Sequence, residues 1–168
     1  MVLAIAGVLL AISAPSLAAF VDAQRVRSAS NLLLSDIHLV RSEAIKRNGR
    51  VVVCKSADAV QCTAVGGWEQ GWLVLQDQNN NGQGDAGEWI VQHRAGTLQG
   101  VRLRGNTPVS SYVSYTASGV PRLLAGALQA GTLTVCPQSP DASATVRRII
   151  IGAPGRPRVV PGSATDCV

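Results

Sequence analysis

Aromatic side chains are scarce in this chain: one Phe, two Tyr and three Trp among 168 residues. A platform that stacks single-stranded bases needs more of them, so that mode of nucleic-acid recognition is excluded. Charge is sparse as well, at 15% Asp, Glu, Lys and Arg with a mean hydropathy of +0.20, the opposite of a disordered tail protein. Beyond residue 20 no apolar run is long enough to span a bilayer, which excludes a multi-span membrane protein. The sequence holds no Cys-x-x-Cys, G-x-S-x-G, HExxH or phosphate-binding loop. Zinc, serine-nucleophile, metalloprotease and nucleotide chemistry therefore have no foothold. The two histidines, His38 and His93, have no obvious partner and read as surface residues. We expect no enzyme, no cofactor and no metal site.

What is present is unevenly distributed. Residues 1–88 carry seven basic and eight acidic side chains, net −1, whereas residues 89–168 carry eight Arg against Asp141 and Asp166, net +6. Arg in place of Lys suits bidentate contact with phosphate or carboxylate. Four cysteines, Cys54, Cys62, Cys136 and Cys167, admit three pairings. An even count without redox or zinc spacing points to disulfides and an oxidising compartment. Cys54 with Cys62 would close a short loop, and Cys136 with Cys167 would tie the C-terminus to a strand.

Residues 1–20, MVLAIAGVLLAISAPSLAAF, contain no charge. As a helix they span about 30 Å, the thickness of a bilayer core. A signal peptide lacks support because no basic n-region precedes the run, and Pro15 would kink a buried core helix. A membrane helix fits best. The chain then turns polar without a break, and Val26, Ala29, Leu33, Ile37, Val40 and Ala44 recur at three- and four-residue steps. Arg25, Ser28, Asp36, Glu43 and Arg47 fall off that stripe, Glu43 and Arg47 as an i,i+4 pair. Asn48-Gly49 is a stop signal. The pattern predicts one helix of about 48 residues, with an apolar half (1–20) and an amphipathic half (21–48). A β-rich domain is expected over 49–168.

From Gly49 the period falls to two. Strands are predicted near Val51–Lys55, Trp72–Asp77, Glu88–Val91, Leu98–Arg104, Val113–Thr116, Thr132–Val135, Val146–Ile151 and Pro157–Val160. Strands following one long helix indicate an α+β domain, with the apolar helical stripe lying on antiparallel sheet.

Three blocks carry a family resemblance: AIAGVLLAISAPSL, RSEAIKRNGRVVVC and WEQGWLVLQDQNNNGQGDAGEWI. They resemble the minor type IV pilins FimT and FimU and the related minor pseudopilin GspH of type II secretion, closely over residues 1 to about 92 and more loosely beyond. Pro15 matches the proline that bends the helix of such pilins. The resemblance also leads one to expect a leader-peptidase motif and a Glu near the mature N-terminus, and residues 1–20 hold neither. It implies a pilin-like fold, an N-terminal helix that sits in the bacterial inner membrane as a single span and then packs against other pilins in a filament, and a globular domain in the periplasm that becomes extracellular on assembly.

Two motifs remain. Residues 77–88, DQNNNGQGDAGE, satisfy a calcium-loop pattern through Asp77, Asn79, Asn81, Gly82 and Glu88, but the flanks read as strands and a polar hairpin loop is the simpler expectation. Gly155-Arg156-Pro157-Arg158 is the stronger signal. Pro157 fixes an extended backbone, so Arg156 and Arg158 project to the same side, and Arg147 and Arg148 stand just upstream. The GRxR motif of DNA-binding FimT proteins is similar, and Gly155, Arg156 and Arg158 match it. These five residues form the candidate site, with double-stranded DNA as partner and natural transformation as the process the resemblance implies. Arg94, Arg102, Arg104 and Arg122 are candidates to widen the patch, with Arg102 and Arg104 alternatively just the outward face of a strand. Four Arg on phosphates would give a log–log salt slope of about −3.6, with sequence-independent contacts. The alternatives are a GspH-like structural pseudopilin, a FimU-like priming subunit without DNA binding, and, more remotely, a secreted enzyme.

Overall fold

A computed structural model describes residues 2–85, 87–96, 98–141 and 143–167, with side chains from residue 17 onward. Helix α1 runs Val2–Lys46 and is followed, among the described residues, by eight strands. Among these, β1 (Val51–Lys55), β2 (Gly71–Gln76), β3 (Ile90–Ala95) and β5 (Tyr112–Tyr115) form a first sheet in the order β3-β2-β1-β5. The second sheet, ordered β4-β6-β7-β8, comprises β4 (Val101–Gly105), β6 (Gly131–Pro137), β7 (Val146–Ile151) and β8 (Arg158–Gly162). Every pairing is antiparallel. The α+β expectation holds.

The helical stripe is the seam of the molecule. Val26, Ala29, Leu33, Ile37, Val40 and Ala44 are all buried, and they share one core with Trp68, Trp72 and Tyr115 on one side and Leu133, Val135, Ile149 and Ile151 on the other. The helix therefore covers the inner faces of both sheets. It ends where expected, although Asn48 rather than Gly49 takes the left-handed backbone (φ 49°), a conformation Asn tolerates. The Gly49 N–H then donates to the Ala44 carbonyl at 3.2 Å and closes the last turn.

The first sheet is covered on its other face too. Val52, Cys54, Leu73 and Leu75 form a second apolar cluster, capped by Ala59 and Cys62 of the loop after β1 and by Tyr112. The Cys54–Cys62 disulfide holds that loop down, and Cys136–Cys167 ties the C-terminal turn to β6.

Several expectations shift. The strand placed near Glu88–Val91 begins at Ile90 and runs to Ala95, so His93 lies inside it. Glu88 is drawn into the preceding loop instead, its two carboxylate oxygens accepting from the backbone N–H groups of Gln78 (2.8 Å) and Asp85 (3.2 Å). The strand near Leu98–Arg104 starts only at Val101, because Gly100 turns the chain at φ 75°. Asp36 and Glu43, off the apolar stripe by spacing, are buried nonetheless. Asp36 accepts from Trp72 Nε1 at 2.8 Å and from Arg94 Nε and Nη2 at 2.9 and 3.2 Å, pinning α1 to the first sheet. Met1 and the side chains up to Ser16, most of the predicted membrane segment, lie outside the described residues; Leu17 and Phe20 are exposed. Among the described residues no helix is long and apolar enough to cross a membrane.

Candidate nucleic-acid interface

Strands β7 and β8 form a hairpin in which Ile150 faces Arg158 and Arg148 faces Val160. Its turn is fixed by two features. The Gly155 N–H donates to the Gly152 carbonyl at 2.9 Å, and Gly155 adopts φ 74°, a region that disfavours any side chain. A Cβ there would also strike the Gly119 carbonyl, so glycine is required twice over. Pro157 is buried while Arg156 and Arg158 on either side of it are exposed.

Arg156 and Arg158 line one groove of about 650 Å³ together with Arg41, Ile150, Gly152 and Pro154. Arg41 comes from α1, and its Nε donates to the Gly119 carbonyl at 3.1 Å, the same carbonyl that Gly155 abuts. One carbonyl thus registers the helix against the hairpin turn. Among the described residues, no side-chain hydrogen bond or ion pair engages Arg156 or Arg158. Two exposed guanidiniums without an internal acceptor, beside a third, present donors in a geometry suited to phosphate oxygens.

The other predicted residues are not all brought there. Strand alternation sends Arg147, opposite Pro161, to the face occupied by Ile149 and Ile151, toward the core. Arg148 faces outward with Ile150, and its Nη1 lies 3.6 Å from Asp166 Oδ1. Arg94 is held by Asp36 on the first sheet, and Arg122 Nη1 donates to the Gly126 carbonyl at 2.7 Å. Neither widens the groove. Arg102 and Arg104 stand on the outer face of β4, Arg104 paired with Glu69. Arg41 went unrecognised from sequence, since its place off the helical stripe gives no hint of a hairpin more than a hundred residues away.

The 77–88 loop uses its own oxygens. Asp77 accepts from the N–H groups of Asn81 and Gly82 at 3.0 Å each, and Asp85 accepts from the side-chain amides of Asn79 and Asn81. Burial pushes the Asp77 carboxyl above its usual range. Among the described residues no group of three or more His, Cys, Asp or Glu is placed to hold a metal ion.

A family model described as "Type II transport protein GspH" matches residues 29–155. The fold is similar to that of the type IV minor pilin FimU of Pseudomonas aeruginosa, at 16% identity and a TM-score of 0.60 over 87% of this chain and 94% of that one. It is also similar to the minor pseudopilin EpsH from the type 2 secretion system of Vibrio cholerae, at 17% identity and a TM-score of 0.52 over 82% and 97% of the two chains. No curated protein sequence matches the chain.

Proposed function

We propose a function from one premise: the chain belongs to the GspH family of type II transport proteins, as a minor pilin or pseudopilin of the GspH and FimU type. On our reading α1 is the assembly rod, its first half residing in the bacterial inner membrane before assembly and then packing against the helices of other pilins. An all-apolar helix satisfies its backbone internally in either setting, so one segment serves both. The sheet domain is carried in the periplasm and, once assembled, outside the cell.

The chain's individual task, on this reading, is to bind double-stranded DNA without sequence preference during natural transformation. The observation that carries it is the groove at the β7–β8 turn, where Arg156 and Arg158 are exposed without a partner among the described residues and Arg41 stands beside them. Backbone phosphates are the acceptors such a cluster fits, and contacts of that kind carry no sequence information. Three arginines on phosphates give a log–log salt slope of about −2.7. Replacing Arg156 and Arg158 together with Gln should cut the slope to about −0.9 and weaken binding at least tenfold in low salt. Unchanged retardation of duplex DNA by the folded double variant would leave a subunit that builds the filament or the secretion apparatus and binds no DNA.

A further inference from the structure

The guanidinium groups do not stop at the groove. Register places Arg102 and Arg104 of β4, Arg148 of β7 and Arg158 of β8 on the side of the second sheet turned away from α1. Thr132 and Thr134 of β6 lie between them, and one cross-strand row reads Arg104, Thr134, Arg148, Val160. With strands about 4.8 Å apart and residues about 3.3 Å apart, Arg148 sits about 8 Å from Arg158 and the set extends about 20 Å from the groove. That length matches several consecutive phosphates of a duplex.

Two acids temper this face, Glu69 on Arg104 and Asp166 on Arg148. Asp166 is held in place by its own turn: its Oδ2 accepts from Ser163 N–H at 2.8 Å and Ser163 Oγ at 3.2 Å, and the next residue, Cys167, is bonded to Cys136 of β6. The Ser163 N–H and, less strongly, the charge of Arg148 keep its carboxyl below the usual carboxylate range, so it stays anionic throughout neutral pH. Its contact with Arg148 is long at 3.6 Å, and Arg148 Nε is buried with no acceptor. The guanidinium is restrained rather than satisfied. A phosphate offering two oxygens is the stronger acceptor.

We propose that the outer face of the second sheet is a second anion-binding surface continuous with the groove, on which Asp166 competes with DNA phosphate for Arg148. The proposal rests on the DNA-binding reading of the groove, and it names the counter-charge that limits that binding. Asp166→Asn removes the charge and keeps an acceptor for Ser163. In the full chain, anisotropy of a labelled random-sequence duplex at two salt concentrations should show D166N binding roughly three- to fivefold tighter, the scale of one partly exposed charge contact, with a slope steeper by about 0.9. Adding Arg148→Gln should return both values to those of the parent. If D166N leaves affinity and slope unchanged while the Arg156/Arg158 double variant still weakens binding, the groove acts alone and the proposal is overturned. If the double variant has no effect and D166N still tightens binding, the groove reading fails and the outer face stands by itself. Should D166N lower the melting temperature, Asp166→Ser decides in its place: tighter binding that is lost again on adding Arg148→Gln supports the proposal, and parental binding refutes it.

Discussion

The two sheets share one helix and one core, yet their outer faces have opposite fates. The first sheet is closed on both sides, by α1 within and by the disulfide-held loop without, and its central strands are buried along their length. Such strands have no polar face to offer, and accordingly read VVVC and WLVL. The second sheet is closed by α1 on one side, and on the other only in part, where Cys167 of the C-terminal turn is bonded to the buried Cys136. Its strands alternate, as in Val-Arg-Leu-Arg and Thr-Leu-Thr-Val, and Arg102, Arg104, Thr132 and Thr134 take outward positions on β4 and β6. Apolar packing on both faces marks the first sheet, and outward guanidinium groups mark the second.

The largest expected effect breaks that contrast directly. Leu73→Ala opens a cavity in the outer cluster of the first sheet and should cost about 3–4 kcal/mol in urea unfolding. Thr134→Ala, on the outer face of the second, should stay within about 0.5 kcal/mol. Similar losses at both positions would mean that Thr134 is covered as fully as Leu73. Asp36→Ala should cost about 2 kcal/mol, because it leaves the buried Trp72 N–H without its acceptor and releases the half-exposed Arg94. Measured stability equal to the parent would mean the helix is not anchored there.

A smaller effect depends on pH. The Arg47 hydrogen bond, with help from Lys46, holds the Glu43 carboxyl below its ordinary value of 4.5. A depressed acid stabilises the fold fully above that ordinary value and loses its contribution as pH falls through the lowered one. Glu43→Gln should therefore cost about 1 kcal/mol near neutrality and nothing in strong acid, giving a flatter acid limb in pH-dependent denaturation. A parallel shift at every pH would trace the loss to packing instead.

Much of this architecture was legible in the residues themselves. The helical stripe from Val26 to Ala44 and the strands at Val51–Lys55 and Val146–Ile151 lie where the spacing put them. Asp36 and Arg94 were not legible as a pair, because an ion pair between a helix and a distant edge strand leaves no periodic trace. The candidate site divides the same way. Pro157 between Arg156 and Arg158 foretold two exposed cations at a turn, a local property. The opposed facing of Arg147 and Arg148 follows from strand alternation, whereas the arrival of Arg41 depends on a tertiary contact through Gly119. Trp89 is exposed, with the Arg47 guanidinium 5.8 Å from its ring centre, a contact between the helix end and the loop that spacing does not show.

The most direct test compares two charge-matched double variants of the full chain, R156Q/R158Q at the hairpin turn and Arg27→Gln with Lys46→Gln on the exposed side of α1, in duplex-DNA affinity measured at two salt concentrations. The groove account predicts that the first loses about 1.8 from the magnitude of the salt slope and at least tenfold in low-salt affinity, while the second stays near the parent. Equal losses in both would reduce the interaction to attraction by net charge, and would contradict a phosphate site at the β7–β8 turn.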